Sequence, residues 1–439
     1  APYFLILLEI GMRLITTCFL IFFASVSSGS SMSLKDAVSE ALGNNLSLLI
    51  ENNNLDIAKE DLYQSRANFL PSVAVSGTIS ESETSDIKLQ TGAQTSDISL
   101  NGSSKSIILS QSIFSGFARV YDLAASKSNY DLQKINLLKN KQDITLQTIE
   151  AYYNLLFLQK TYEAYVENYS NVNQRFEATK KEFEVGVASK TDVAQAESFM
   201  NSAKINMLNS KVNYDNAVNL FDDLIGSKSN NLSFSEIPFN LPSSFTEFKE
   251  RVSTNNLAIQ MARVNVDIKK AQVGYARSAY YPKVDLTATK TEFDESTTTI
   301  DSGTNEEVSA TITWPIFNSG KSLSNVRKAK EVQNSFLIIL QKTQIDTHTL
   351  ATKVWVQSEI SKDQIVAAES SYKASKTAYE GTVIEQKVGE RTVLDVLNAQ
   401  QSLLNSEIEL MNQRRSKEII KSQVFYLMGD LTLENMENL

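Results

Sequence analysis

Landmarks from the first half of this 439-residue chain return in the second half at fixed intervals, which restricts it to two copies of one structural unit. Asn44-Asn45-Leu46 returns as Asn255-Asn256-Leu257, Arg66 as Arg277 and Pro71 as Pro282, each 211 residues later. Beyond that point the interval is 203: Ile113-Phe114 returns as Ile316-Phe317, Val185-Gly186 as Val388-Gly389, Asp192 as Asp395 and Gly226 as Gly429. The difference, 211 − 203 = 8 residues, falls between Pro71 and Ile113, so one segment is longer in the first copy. The expected organisation is a first repeat over 31–226, a Ser-, Asn- and Pro-rich linker over 227–243, a second repeat over 244–431 and a tail over 432–439.

Each copy changes its period at a proline. Helical patterning stops at Pro71 and Pro282, and an alternating pattern opens. Val284, Leu286 and Ala288 fall on one side of a strand and Asp285, Thr287 and Thr289 on the other. Val308, Ala310, Ile312, Trp314 and Ile316 then alternate with Ser309, Thr311 and Thr313. The first copy gives Val73, Val75, Gly77 and Ile79, with Ile107, Leu109 and Ile113 on its return strand. The spacing predicts β-hairpins over 71–114 and 282–317. Each strand is about ten residues, the length of a tilted transmembrane strand with apolar side chains toward lipid and polar ones toward a lumen. Tyr280, Tyr281, Trp314 and Phe317 gather near one end, as in an aromatic girdle. The polar stretches Glu81 to Ser104 and Phe293 to Glu307 are expected as exposed loops. An amphipathic hairpin on a soluble core would show the same alternation.

The remainder reads as helix. Gly 15 plus Pro 6 is 21 of 439 residues, about 5% against an average near 12%, which implies long uninterrupted elements. From Gly116 to Val185 there is no proline, and Ile144, Ala151, Leu158, Tyr165 and Val172 fall seven apart. Leu155, Tyr162, Tyr169, Phe176 and Phe183 interleave with them as a coiled-coil seam. About 70 residues at 1.5 Å each reach roughly 105 Å, well past a bilayer. The seam resumes after Gly186 through Val193, Ala196, Met200, Ala203 and Met207, and the second copy echoes it with Val396, Ala399, Leu403, Ser406 and Leu410. Each Val-Gly pair is the turn between two long helices.

Met12-Arg13, the apolar run Leu14 to Ala24 and the small residues Ser25 to Ser30 read as a Sec signal peptide over 1–30, with 1–11 either an over-extended start or, through Leu5 to Leu8, a lengthening of the apolar core. The run is about 11 residues, whereas a spanning helix needs about 20. Cys18 lies inside it rather than after it, so a lipid-modified cysteine is not expected. Lys+Arg 42 against Asp+Glu 51 gives a net charge of −9, which argues against a nucleic-acid partner. One cysteine and one histidine, His348, leave no set for a Cys/His metal site or a histidine relay. No catalytic residue, metal or cofactor is therefore expected. Ser319-Gly320-Lys321-Ser322 contains GKS, but the phosphate-binding loop needs a glycine where Pro315 stands.

Four strands cannot close, and an open sheet edge in lipid leaves peptide groups unsatisfied. If the strands span, copies must combine: two give eight strands and a filled barrel, three give twelve and room for a passage. The strand-to-helix joins at Pro71, Phe114, Pro282 and Phe317 lie on one side, so the helices run from the barrel into one compartment.

From about Ser33 to Leu431 the chain resembles the TolC family of outer-membrane efflux proteins. The most specific part is Val388-Gly389-Glu390-Arg391-Thr392-Val393-Leu394-Asp395-Val396-Leu397-Asn398-Ala399-Gln400, which is similar in order and spacing to the family's tip motif. Val185-Gly186 and Thr191-Asp192-Val193 match its first-repeat version. The resemblance implies a mixed α+β membrane protein: a homotrimeric twelve-stranded β-barrel in the outer membrane of a Gram-negative bacterium, continued by a coiled-coil α-helical barrel through the periplasm. It implies a passive exit duct of a tripartite efflux or type I secretion system, not an enzyme. Its partners would be further copies of itself, outer-membrane lipid, a periplasmic adaptor (membrane fusion) protein and an inner-membrane RND, ABC or MFS transporter.

The resemblance also implies roles for residues. Val185, Gly186, Val388 and Gly389 would form the adaptor-docking turns. Arg391 would link toward Thr191 and Asp192 to hold the periplasmic entrance closed, and Asp395 would face the lumen near a threefold axis. Three such carboxylates make an anionic ring that attracts cations. The family's best-known pattern has a second acid one helical turn on, where this chain has Asn398, so one ring is expected instead of two. The plain alternative is that Arg391 and Asp395 form an i,i+4 surface pair worth about 0.3–0.5 kcal/mol. A rival from another class is a secreted trimeric coiled-coil adhesin or scaffold, which accounts for the heptads but not for the hairpins between them.

Overall fold

A computed structural model describes residues 32–85, 90–92, 98–229, 232–234, 236–237, 240–297 and 300–437. The signal peptide expected over 1–30 lies outside these residues, as do parts of the first polar loop and of the linker. The elements in order are α1 (Leu34–Asn44), α2 (Leu46–Ala67), β1 (Ser72–Thr84), β2 (Ile98–Ser115), α3 (Ala118–Glu184), α4 (Lys190–Ile225), α5 (Phe245–Asn255), α6 (Leu257–Arg277), β3 (Lys283–Thr297), β4 (Ile300–Thr313), α7 (Lys321–Lys387), α8 (Val393–Leu427) and α9 (Leu433–Glu437). Two short helices, a hairpin, a 67-residue helix and a helix of about half that length thus occur twice.

The recurring Asn-Asn-Leu marks where each first helix breaks. Asn45 is extended (φ −73, ψ 119) and ends α1. Asn256 takes the same conformation (φ −58, ψ 123), and its side chain accepts hydrogen bonds from the N–H groups of Ala258 (3.1 Å) and Ile259 (3.3 Å). Asparagine competes well for free N–H groups at a helix start.

The backbone divides into two compact units. One comprises Leu46–Asn140 and Thr246–Ala351 and contains the four-stranded sheet. Its strands run antiparallel in the order β1-β2-β3-β4, so β1 and β4 are free edges. Register fixes the faces. Val73, Leu109, Ala288 and Val308 form one row across all four strands, and the row of Leu286 and Ala310 lies beside it. On the other face Ser76, Ser106, Thr291 and Asn305 line up, and the Ser106 and Thr291 hydroxyls bond at 2.8 Å. The apolar face is open to solvent: Val75 is 77% exposed, Val308 76% and Ile312 71%. Water alone would not select that arrangement. A bulge at Ser112/Phe114 sets Phe114 opposite Val284, which strict alternation would not do.

The strands exceed the expected ten residues, at 13, 18, 15 and 14. Much of the polar stretch assigned to loops, Glu81–Thr84 and Phe293–Thr297 among it, is strand. Ladder bonds do not depend on side-chain polarity, and threonine favours the pleat. In the opposite direction, β4 stops at Thr313, short of the expected Trp314 and Ile316, because Pro315 has no N–H to donate. The helices then start from left-handed turns: Gly116 and Phe117 have φ of 62 and 70, Ser319 and Gly320 of 56 and 76. The strained Phe117 is held by edge-on packing against Phe114 (5.1 Å) and Tyr281 (5.6 Å). The GKS sequence lies in the second of these turns, where Asn318 accepts from the Ser322 N–H (3.2 Å).

The other unit comprises the residues through Asn45, Lys141–Phe245 and Thr352 onward. Its centre is Tyr152, fully buried, with Tyr153 and Phe221 edge-on at 5.7 and 6.1 Å. Along α4 the seam is regular, with Ala196, Ala203, Ser210 and Ala217 buried seven apart. Along α3 it is more polar than the heptads suggest: Thr161, Asn168 and Thr179 are buried, while Phe183 is exposed.

Candidate gate and docking turns

The two Val-Gly turns are built alike. In the first, α3 ends at Glu184, Gly186 is left-handed (φ 80), and the Val187 N–H returns to the Glu182 carbonyl at 2.8 Å. In the second, α7 ends at Lys387, Gly389 is left-handed (φ 84), and the Glu390 N–H returns to the Glu385 carbonyl at 2.9 Å. These are six-residue closures over a helix C-terminus. The next helix then starts from a reciprocal cap. Ser189 Oγ accepts from the Asp192 N–H (3.1 Å) while Asp192 Oδ2 accepts from the Ser189 N–H (2.8 Å). Thr392 and Asp395 repeat this at 3.2 and 2.9 Å. Ser189 and Thr392 share φ −87 and ψ 162.

Both acids are therefore in helix caps. Bonds from the Ser189 hydroxyl and then its N–H hold the Asp192 carboxyl below the ordinary range. Bonds from the Thr392 N–H and hydroxyl do the same for Asp395, with a smaller contribution from Arg391. Asp395 and the exposed Asn398, three residues on, lie on a different side of α8 from the buried Val396 and Leu397.

The expected link of Arg391 toward Thr191 and Asp192 is not made within this chain. Arg391 Nε pairs with Glu385 Oε2 at 3.0 Å. The cause is local: the closure that ties Glu390 to Glu385 folds the following residue back over the last turn of α7. Asp192 is held by Ser189, and Thr191 is exposed. Arg391 and Asp395 do not pair directly either; the 3.0 Å partner of the arginine is Glu385.

Three further contacts belong to this region. Arg175 Nη1 donates to Gln386 Oε1 at 3.0 Å, tying α3 to α7. Gln400 Nε2 donates to Asn168 Oδ1 at 3.0 Å between α8 and α3, with both side chains buried. Val172, Ala196 and Leu397 pack beside them, with Phe176 and Phe199 half-buried on the margin. A heptad search for apolar residues passes over amides, although two of them at facing seam positions are a recognisable signal.

The chain thus combines an open-edged sheet whose apolar face is exposed with long helices joined by paired capped turns. The chain belongs to the outer membrane efflux protein family, whose sequence model matches residues 37–227 and 250–430. It is 24% identical over 407 residues to the outer membrane efflux protein BepC of Brucella suis, covering 92% of this chain and 87% of that one. To the outer membrane protein TolC of Escherichia coli it is 23% identical over 407 residues, covering 87% and 79%. The Campylobacter jejuni CmeC outer membrane channel has the same fold, with TM-score 0.80 and 22% identity over 90% of this chain and 85% of that one. The protein is an outer-membrane channel of the TolC family and not an enzyme, so the scaffold reading is set aside.

Proposed function

We propose that three copies of this chain close a twelve-stranded barrel in the outer membrane. The duct so formed passes material outward when its periplasmic turns dock an adaptor coupled to an inner-membrane pump. The observation that carries this is the sheet, whose apolar face is exposed and whose β1 and β4 edges are unpaired within the chain. In lipid each unsatisfied peptide group costs several kcal/mol. Pairing β4 of one copy with β1 of the next removes that cost, and twelve strands leave an aqueous passage where eight do not. The leader over 1–30 is removed on export, and the linker 227–243 joins the two repeats.

In this reading the turns serve as docking points and the residues just after them as the gate. Val185, Val187 and Val388 are 75%, 79% and 70% exposed, an apolar set suited to burial against another protein. Arg391 acts through Glu385, stiffening the turn that sets the start of α8, and Asp395 supplies one charge per copy to a cation-attracting ring. Relatives named as efflux proteins support an export role. The deciding experiment is extraction from membranes followed by light scattering and planar-bilayer recording. A detergent-dependent trimer that conducts is expected, and a monomer soluble without detergent would overturn the reading.

A further inference from the structure

The unit that contains Tyr152 also has an open-sided cavity of about 460 Å³, within the range of small-molecule sites. Leu156 and Phe157 of α3 and Met411 of α8 form two of its walls. The third is the linker, held in place at Ser233, whose carbonyl accepts a hydrogen bond from the Tyr152 hydroxyl (2.5 Å) and whose N–H meets the Met32 carbonyl. Extended chain sends alternate side chains the same way, so Leu232 and Phe234 both line the cavity. Phe234 rests edge-on against Tyr153 at 6.0 Å and remains 57% exposed, so the hollow is open on this side. Further along, the linker is tied to α8, where Ile237 donates its N–H to the buried Glu418 at 3.0 Å.

One end of this apolar space is cationic. Arg415 Nη1 and Nη2 donate to the neutral amide oxygens of Asn154 (2.9 Å) and Asn412 (2.8 Å), and its guanidinium lies over the Phe157 ring at 4.5 Å. Its Nε is buried with no acceptor, and no carboxylate among the described residues pairs with it. Burial with nothing to offset it draws the group below the ordinary guanidinium value. Lys160 and Arg414 stand on the same lining. Their own partners, Glu163 and Glu369, are held in exposed surface pairs of the kind that exchange at little cost. A half-buried cation with no carboxylate in direct contact, Glu150 lying on a neighbouring hollow, carries a desolvation cost, and an aromatic and aliphatic hollow beside it removes the other half of a ligand from water.

The geometry points to this cavity as a binding site for a small single-chain organic anion, with its hydrocarbon between Phe157, Met411 and Phe234 and its carboxylate on Arg415. A facing acidic side chain from another copy would satisfy the charge but not fill the apolar volume.

The test uses the full chain in lipid nanodiscs and a ten-carbon carboxylate bearing a diazirine, with photo-crosslinked peptides mapped by mass spectrometry. Label is expected within Tyr153–Lys160 and Met411–Arg415, competed by decanoate and not by decanol. It should fall about tenfold in Arg415→Met, and also in Leu232→Trp, which fills the cavity without touching the arginine. Label confined to β1–β4, label undiminished in both variants, or equal competition by decanol would each overturn the site. So would an unlabelled wild type whose trimer dissociates on Arg415→Met, which would assign the hollow to a neighbouring copy.

Discussion

Asn168 and Gln400 meet between α3 and α8 through a 3.0 Å hydrogen bond from which water is excluded. Removing one partner strands the other in an apolar setting, at a cost of about 1–3 kcal/mol. Gln400→Leu should therefore lower the thermal midpoint clearly, and Asn168→Leu added to it should restore most of the loss. A double replacement no better than the sum of its parts would mean that the amides do not act as a pair.

Arg391→Ser is expected to raise ion conductance in planar bilayers by loosening the closed entrance. Glu385 is the arginine's 3.0 Å partner, so Glu385→Gln should raise it in the same direction. A wild-type conductance in Arg391→Ser would remove the latch role. A change in Arg391→Ser with none in Glu385→Gln would move the arginine's working partner to another copy.

Asp395→Asn should weaken inhibition of the channel by multivalent cations, because one carboxylate per copy supplies the ring and Asn398 adds no charge. The pH dependence has a defined sign. Asp395 is held below the ordinary carboxylate value by its cap, so its charge and its capping contribution are present above about pH 4 and fade only as pH falls through the lower folded value. Cation block recorded from pH 7 downward should stay constant to about 4. A midpoint above 5 would mean that the cap does not govern the charge of the blocking group.

Two helical glycines should respond to alanine with opposite signs. A methyl on Gly274 would lie 2.4 Å from the Tyr121 ring, whereas nothing lies within 4 Å of one on Gly381. Gly274→Ala is expected to cost about 1–3 kcal/mol through overpacking, and Gly381→Ala to add about 0.5–1 kcal/mol from helix propensity. Chemical unfolding of the two variants side by side reads both.

Charge on the open face of the sheet should block insertion where charge on the other face does not. Val308→Lys places an ammonium toward lipid, at about 2–4 kcal/mol near the bilayer centre. Ser309→Lys, one residue on, points to the opposite side. Outer-membrane yield of the trimer should collapse for the first and persist for the second; equal yields would mean that the faces are reversed.

The repeat, the hairpins and the two turns were readable because each rests on local chemistry: a constant interval, an alternation, a glycine required at positive φ. The strand ends were not, since serine and threonine serve loops and ladders alike, and only pairing with a neighbour decides between them. Asn44-Asn45-Leu46 and its copy stood out as landmarks without disclosing that the asparagines break a helix. Motif spacing does not show the contact of Arg391 with Glu385, which follows from the left-handed Gly389 returning the chain to the end of α7. Heptad spacing of apolar side chains does not reveal Thr161 and Asn168, which are polar and buried.

The 2.8 Å contact between Ser106 and Thr291 joins residues 185 positions apart. Strands β2 and β3 are neighbours in the sheet, yet a ribosome makes all of α3 to α6 between them. Until the second half emerges, the first hairpin has an unmatched flank on both sides, and loop closure over so long a stretch is slow. Such an intermediate must be shielded on its way to the membrane, so biogenesis of this protein should depend more on holding chaperones than that of barrels whose adjacent strands follow one another in the chain.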